Sequence, residues 1–256
     1  MAGIENITVV KIGGNVVDNP AALHDFVEAF AALRGPKILV HGGGKEATRL
    51  AEKMGVEVQM VDGRRITGRE MLDIAVMVYA GAVNKRVVAA LQAAGCNAIG
   101  LSGADGDVVR ARRRPAEPID FGFVGDIVSV ADERLAMLLG TGLTPVFSAI
   151  MHDGAGTLLN CNADSVASAV AVGMSRTTAV DLVYCFEKEG VLDAGGKVIS
   201  RISRADFEHL KADGTVSSGM IPKIENALRA VADGVRSVTI KSAAALGDTA
   251  AGTVIM

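Results

Sequence analysis

The sequence predicts an α/β protein with a mostly parallel sheet that is covered by helices on both faces. Short runs rich in Val and Ile alternate with segments of helical periodicity along all 256 residues. The runs are continuously apolar, as expected for strands that are buried on both faces of a sheet. A chain of this length can bury a sizeable core in one domain or in two lobes. No repeat or obvious linker interrupts the pattern, so the lobes are expected to share one continuous sheet.

The elements are assigned in chain order from two patterns. Strands are placed where β-formers run between turn residues, and helices where apolar residues recur at intervals of three and four. The predicted strands are Ile7–Ile12, Lys37–Val40, Asn97–Leu101, Val108–Arg114, Phe121–Val130, Thr144–Ala149, Ala179–Cys185, Ser237–Lys241 and Gly252–Ile255. The predicted helices are Pro20–Leu33, Lys45–Met54, Arg69–Tyr79, Val83–Ala94, Asp132–Gly140, Ala163–Met174, Arg204–Lys211 and Ile221–Asp233. The fourth and fifth strands flank a proline-containing turn and are expected to be antiparallel, and a turn is expected at Asp153-Gly154.

The composition argues against several classes of protein. Lys and Arg number 26 and Asp and Glu number 29, so no excess of positive charge favours nucleic acid or an anionic membrane. No apolar run reaches the ~18 residues of a membrane span, and no charged-then-apolar leader precedes the first strand. Cys96, Cys161 and Cys185 are far apart and odd in number, which suits a reducing compartment without a disulfide framework. A soluble cytoplasmic protein is expected.

Several catalytic motifs are present only in part. Gly44-Lys45 is followed by Glu46, where a Walker loop requires Ser or Thr. The segment from His41 to Gly44 resembles the oxyanion segment of lipases, but no Gly-x-Ser-x-Gly elbow exists. The histidines are scattered, so no zinc site is expected. The first strand is not followed by the Gly-x-Gly-x-x-Gly of a dinucleotide fold.

Two glycine turns that contain lysine indicate a phosphate site. Lys11 ends the first strand next to Gly13 and Gly14, which let the backbone approach a ligand closely. The segment Gly219-Met220-Ile221-Pro222-Lys223 places a second lysine at the start of a helix, where free N–H groups attract anions. Two such turns with no metal cluster between them suggest the transfer of a phosphoryl group.

Three further turns follow strands or precede helices, where open α/β sheets place their ligands. Gly42-Gly43-Gly44 offers N–H donors to an anion, Gly63–Thr67 offers the Arg65 guanidinium to a carboxylate, and Asn160–Asp164 carries three short polar side chains. Each turn alone is more often an ordinary chain reversal, a solvated arginine or a helix cap. Only their combination indicates a site.

These segments, in this order and approximate spacing, resemble the acetylglutamate kinases of the amino-acid kinase family over essentially the whole chain. The two lysine motifs are shared with aspartokinases, carbamate kinases and glutamate 5-kinases. Gly63-x-Arg65-x-Thr67 and Asn160-x-Asn162-Ala163-Asp164 are more particular to the acetylglutamate branch. The resemblance implies a three-layer αβα sandwich with an open sheet of about eight strands. Its lobes would be residues 1–175 for the acylamino acid and 176–256 for the nucleotide.

The implied reaction moves the γ-phosphoryl group of MgATP to the γ-carboxylate of N-acetyl-L-glutamate, in arginine biosynthesis. By this resemblance Lys11 stabilises the transferring group and Lys223 the departing phosphates. Asp164 lies between the two lysines and holds both, and Gly13 and Gly14 donate backbone N–H groups to phosphate. Mg²⁺ is expected to arrive with the nucleotide, without a metal site in the protein.

On the acceptor side, the resemblance assigns Gly43 and Gly44 to the acylamino acid and Arg65 and Asn160 to its α-carboxylate. The chemistry of the residues agrees independently, because a carboxylate acceptor is already ionised at neutral pH and needs no general base. The remaining barrier is repulsion between anions, which preorganised cations and N–H donors offset.

One segment departs from the family pattern. Phe186 and Glu187 stand where a Ser/Thr-Asp pair is usual. Glu187 can keep the carboxylate on a longer arm, whereas Phe186 cannot donate a hydroxyl hydrogen bond. Three alternatives stay open: an N-succinyl-L-glutamate kinase, another amino-acid kinase of the carbamate or glutamate 5-kinase type, and a non-catalytic amino-acid sensor on the same fold.

The assembly is predicted from the helix Arg69–Tyr79, which is too apolar for a single buried stripe. It either forms an interface or is buried within its own subunit. Arginine-sensitive members of the family carry an extra N-terminal helix that links dimers into a ring. Only Met1 to Asn6 precede the first predicted strand, fewer than the ~12 residues of a self-supporting helix. A homodimer with little or no inhibition by arginine is expected.

Overall fold

The computed structural model describes residues 4–61, 63–216 and 220–256. Its strands are β1 (Asn6–Ile12), β2 (Lys37–His41), β3 (Met60–Val61), β4 (Arg64–Arg65), β5 (Ala98–Leu101), β6 (Val109–Arg113), β7 (Gly125–Val130), β8 (Thr144–Phe147), β9 (Ile150–His152), β10 (Leu158–Asn160), β11 (Ala179–Phe186), β12 (Arg201–Ile202), β13 (Ser237–Ser242) and β14 (Thr253–Ile255).

The main sheet has eight strands in the order β12-β14-β13-β11-β1-β2-β8-β5. From β13 to β5 all neighbours are parallel, and β14 pairs antiparallel to β13 and parallel to β12. The β1–β11 pairing joins the two halves of the chain into one sheet. The predicted mostly parallel sheet of about eight strands is confirmed.

The helices are α1 (Gly14–Val17), α2 (Pro20–Ala32), α3 (Gly44–Lys53), α4 (Arg69–Ala75), α5 (Asn84–Ala93), α6 (Asp132–Gly140), α7 (Ala163–Met174), α8 (Arg204–Ala212) and α9 (Ile221–Ala232). They cover both faces of the sheet, because side chains alternate along each strand. On β1, Ile7 and Val9 belong to the core shared with α7 and α9, whereas Val10 and Ile12 belong to the core shared with α2 and α4. The protein therefore has the three layers of an αβα sandwich.

One long helix replaces two predicted ones. The sequence predicts separate helices Arg69–Tyr79 and Val83–Ala94, but α4 and α5 are joined without a break by a π-helical segment, Val76–Val83. The prediction of two helices is wrong, because wider i→i+5 turns carry the helix across the glycine at position 81.

Within the described ranges, this helix alone is long and apolar enough to cross a membrane, by length and composition only. Core helices of soluble proteins meet the same two criteria. Met71, Leu72 and Ile74 are almost fully buried in the subunit, whereas Met77 is half exposed. Part of the apolar surface thus belongs to the core, and part faces outward.

A second sheet, in the order β10-β9-β6-β7, lies beside the main one. β6 and β7 are antiparallel, as predicted, but β7 begins at Gly125 and not at Phe121. The intervening residues pair elsewhere, since Gly122 bridges to Thr67 and Val124 to Asn160. These bridges tie the sheet to the loops that surround the site. The predicted turn at Asp153-Gly154 is the connection between β9 and β10.

Candidate active site

Lys11 and Asp164 meet because strand periodicity directs the lysine toward α7. Lys11 lies on the same face of β1 as Ile7 and Val9, whose side chains pack against α7. Asp164 lies in the first turn of α7. The Nζ atom of Lys11 is 2.7 Å from Oδ1 of Asp164, and Lys11 is only 7% exposed. The ion pair thus lies at the carboxyl end of β1, where open α/β sheets bind ligands.

Lys223 reaches the same place from α9, which packs on the same face of the sheet. Its Nζ atom lies 3.4 Å from the centre of the Phe186 ring, and that of Lys11 lies 5.0 Å from the same centre. Between the described residues Lys223 and Asp164 there is no salt bridge. The structure therefore departs from the expectation that one carboxylate holds both lysines: Asp164 is engaged by Lys11, and an aromatic ring lies under Lys223.

A cavity of about 450 Å³ opens beside the two lysines. Gly13, Gly14, Phe186 and Lys223 are among the residues that line it. Its volume falls within the roughly 300–1,000 Å³ of small-molecule sites. Gly219, the first residue of the second predicted glycine turn, lies outside the described residues.

Arg65 stands at the end of the β3–β4 hairpin and points at the turn before α3. Its Nη2 atom donates hydrogen bonds to the carbonyl oxygen of Gly44 at 3.0 Å and to Oγ1 of Thr48 at 2.8 Å. Arg65 is 8% exposed, and these bonds hold its guanidinium in place. Because a guanidinium carries five N–H donors, some remain for a ligand carboxylate.

Asn160 is linked to Arg65 through Thr67. Its Nδ2 atom donates to Oγ1 of Thr67 at 3.1 Å, and that hydroxyl donates to the backbone carbonyl of Arg65 at 3.0 Å. Two residues further on, Asn162 caps α7 by accepting the backbone N–H of Asp164 at 2.9 Å. The segment from Asn160 to Asp164 therefore connects the arginine side of the site with the lysine side.

Gly43 packs directly on an aromatic ring. A Cβ atom at this position would lie 2.8 Å from Cδ1 of Tyr79, so a side chain would clash there. Tyr79 is 6% exposed and comes from the π-helical segment. Burial raises the pKa of its hydroxyl, and the neighbouring Arg65 opposes this only in part. The hydroxyl is therefore neutral at physiological pH.

His41 has a structural role next to the glycine turn. Burial lowers its pKa to about 4, and a hydrogen bond with the Gly42 backbone opposes this shift in part. Nδ1 is 2.8 Å from the Gly42 carbonyl oxygen, and Nε2 is 3.0 Å from Nδ2 of Asn84. In the neutral tautomer with a proton on Nδ1, the ring donates to Gly42 and accepts from Asn84. The ring thus ties the turn to α5.

A second cavity, of about 200 Å³, lies on the Arg65 side of the site. Gly43, Gly44, Arg65 and Asn160 all line it. Gly44 lines the larger cavity as well, so the two spaces meet at this glycine. The smaller cavity is lined by the guanidinium groups of Arg64 and Arg65, and the larger one by the ammonium groups of Lys45, Lys188 and Lys223. Such an arrangement can bring an anionic acceptor next to an anionic phosphate.

Lys45, Arg64 and Tyr79 are among the residues that line the cavities but are not predicted from the sequence as part of the site. Lys45 faces the larger cavity and donates to Oδ1 of Asn15. Its position after Gly44 was a usable signal, although the segment does not complete a Walker loop. Arg64 lines the smaller cavity beside Arg65, and the double arginine was a signal too. Tyr79 gave none, because an aromatic residue within a helical pattern usually belongs to the core.

Comparison with known proteins agrees with this geometry. The profile described as the amino acid kinase family matches residues 6–242. A protein named acetylglutamate kinase from Cytophaga hutchinsonii is 49% identical over 95% of this chain and 94% of its own length. Proteins of the same name from Bacteroides thetaiotaomicron and Methanopyrus kandleri are 48% and 41% identical, over 95% and 91% of this chain and 96% and 93% of their own lengths.

Solved structures show the same fold. A Streptococcus mutans protein matches with a TM-score of 0.81 at 27% identity, covering 98% of both chains. Carbamate kinase from Giardia lamblia matches with a TM-score of 0.72 at 12% identity, covering 100% of this chain and 99% of its own. At that identity the second likeness concerns the fold alone.

Proposed function

Because the chain belongs to the amino acid kinase family, we propose that it transfers the γ-phosphoryl group of MgATP to the γ-carboxylate of N-acetyl-L-glutamate. The product would be N-acetylglutamyl 5-phosphate, an intermediate of arginine biosynthesis. The curated relatives that share 41–49% identity with nearly the whole chain carry the name of this activity. In this proposal residues 1–175 bind the acylamino acid and residues 176–256 bind the nucleotide.

The observation that carries the proposal is the junction of the two cavities at Gly44. The smaller one presents Arg65 and Asn160 to a carboxylate, and the larger one presents Lys223 and the glycines after β1 to phosphate. A ligand with two carboxylates can bind through one of them at Arg65 and extend the other toward Lys11. This separation of guanidinium from lysines suits a substrate with one anchoring carboxylate and one reacting carboxylate.

The proposed division of labour follows from charge. Lys11, held by Asp164, stabilises the oxygens of the group in transfer, and Lys223 stabilises the departing phosphates. Gly13 and Gly14 line the larger cavity, where their backbone N–H groups would donate to phosphate oxygens. The lysines and glycines suit a polyphosphate, and Mg²⁺ comes bound to the nucleotide as part of that substrate. The acceptor needs no base, since its carboxylate is already ionised.

An acyl phosphate product gives the first test. Hydroxylamine in the assay should trap the product as a hydroxamate, whose yield depends on both ATP and the acylglutamate. The measurement is the colour of the ferric hydroxamate complex against matched ADP release. ADP formation without hydroxamate would contradict phosphorylation of a carboxylate.

A panel of acceptors separates the alternatives within the same assay. N-acetyl-L-glutamate is expected to give the highest kcat/KM, ahead of N-succinyl-L-glutamate, free glutamate and carbamate. A preference for the succinyl compound would indicate the same reaction on an N-succinylated acceptor. Binding of an acylamino acid without ADP release from any acceptor would favour a non-catalytic sensor.

We also propose that the protein acts in the cytoplasm as a homodimer. A groove of about 1050 Å³ runs between α2, α3 and the outward face of the long helix, with Leu23, Val27 and Met77 in its lining. Its charged lining carries both signs, and acidic Asp18 and Glu46 form salt bridges with Arg49 and Arg86 of the same groove. A two-fold interface brings the same patch together twice and therefore needs such self-complementarity. A second copy of the chain is the occupant that would cover the apolar part and meet a rim of balanced charge.

Light scattering after size exclusion tests the dimer. The unchanged protein should elute with twice the chain mass, and Met77→Glu should shift it toward the monomer by placing a charge in an apolar contact. Met77 is 50% exposed. Met137→Glu is the matched control, since Met137 is 63% exposed on α6, away from the groove. Monomeric wild-type protein at working concentration, or equal effects of both changes, would refute the interface.

A further inference from the structure

The Phe186 side chain lies close to both lysines of the site. It is the last residue of β11, on the same face as Tyr184, and the two rings stack at 5.9 Å with an interplanar angle of 15°. Tyr184 pairs in register with Lys11 on the neighbouring strand β1. The strand register thus delivers the Phe186 ring to the carboxyl end of the sheet, next to both ammonium groups.

Lys223 is the closer of the two cations. Its Nζ atom is 3.4 Å from the ring centre, well inside the ~6 Å within which a cation is attracted to an aromatic face. The Lys11 ammonium is farther away, at 5.0 Å, and has Asp164 as its ionic partner at 2.7 Å. The strongest contact with the ring is therefore that of Lys223.

The charges that face Lys223 do not replace this contact. Asp164 and Glu187 favour its charged form, whereas Lys11 and Lys188 disfavour it. Burial outweighs these charges and lowers the pKa of Lys223 below its ordinary value. A neutral group that stabilises the ammonium of Lys223 would oppose this effect of burial and would not compete with phosphate.

We propose that Phe186 is a positioning residue that holds the Lys223 ammonium on its ring face, charged and directed at the nucleotide cavity. The inference rests on the proposed function for the role of Lys223 but adds a residue that the reaction itself does not require. A carboxylate at this position would neutralise the lysine and compete with phosphate for it. The ring face is uncharged overall, so the full positive charge stays available to a phosphate, which attracts it more strongly than the ring does.

The test compares Phe186→Leu with Phe186→Tyr. Leucine keeps the apolar bulk and removes the aromatic face, whereas tyrosine keeps the face. The first readout needs no catalysis: an amine-reactive reagent labels the neutral lysine, and peptide mass spectrometry follows labelling of Lys223 against pH. Lys197, an exposed lysine, serves as the internal reference.

In Phe186→Leu we expect the labelling midpoint of Lys223 to fall by about one pH unit, since the ring no longer stabilises the charged form. In Phe186→Tyr the midpoint should stay near that of the unchanged protein. An unaltered midpoint in the leucine protein, or an equal shift in both, would overturn the inference. Should Phe186→Leu fail to fold, Phe186→Met offers an unbranched side chain for the same comparison.

The second readout is the pH profile of kcat. Lys223 acts in its charged form, so activity is lost as pH rises through its pKa. Phe186→Leu should therefore move the basic limb to lower pH and lower kcat about threefold to tenfold, and Phe186→Tyr should restore both. A labelling shift in a protein without kinase activity would support the Phe186 contact and reject the proposed function. Normal kinase activity without any labelling shift would support the proposed function and reject the role of Phe186.

Discussion

Replacement of Lys11 by alanine is expected to lower kcat by about 10²–10³, the range for loss of one preorganised charge donor at a developing anion. The KM for the acylglutamate should change little, because in the proposed function Lys11 acts on the group in transfer and Arg65 anchors the acceptor. Its Nζ atom is held at 2.7 Å from Asp164, so it needs no rearrangement when the phosphoryl group moves. Initial rates at saturating concentrations of both substrates measure the effect.

Lys197→Ala is the matched control, because it removes one positive charge from an exposed lysine. Its kcat should equal that of the unchanged protein. Lys223→Ala should resemble Lys11→Ala, and Asp164→Asn should also lower kcat, since Lys11 then loses its partner. A Lys11→Ala or Lys223→Ala protein with near-normal kcat would show that the assignment of these roles is mistaken.

Arg65→Ala should mainly raise the KM for the acylglutamate, by about 10- to 100-fold, as expected for loss of a charge-assisted hydrogen bond. Arg65 lines the smaller cavity, and its guanidinium is fixed by hydrogen bonds to Gly44 and Thr48. Arg65→Lys should not restore binding, because a single ammonium cannot bridge the same acceptors in a fork. Full initial-rate analysis with varied acylglutamate separates KM from kcat.

Arg112→Ala provides the comparison for this change, since Arg112 is an exposed arginine of β6. Its KM should not move. If Arg65→Ala lowered kcat strongly at saturating acceptor and left KM unchanged, the arginine would belong to the reacting end of the site.

Much of the fold was predictable because its strands are strongly marked. The continuous apolar run of β1 and the similar run of β11 indicate buried parallel strands, and the structure pairs them over seven residues. The long helix was misread because a glycine and small residues at its centre look like a break in the sequence. A π-helical continuation leaves no such mark in composition.

The site was predictable where the resemblance to a known family joins motifs that are far apart in sequence. Lys11 and Asp164 were expected to meet, and they form an ion pair. The contact of Lys223 with Phe186 depends on how α9 packs against the end of β11. A local sequence pattern does not contain that packing. The position of Tyr79 against Gly43 depends in the same way on the course of the π-helical segment.

The π-helical segment Val76–Val83 changes the direction in which the following side chains of the long helix point. Its turns take more residues than α-helical turns, so the side chains after it are out of phase with those before it. Tyr79 can therefore face the glycine turn while Asn84, one turn later, reaches His41. Deletion of a single residue within this segment would leave the composition of the helix almost unchanged. It would rotate the side chains that follow the deletion about the helix axis, relative to those that precede it.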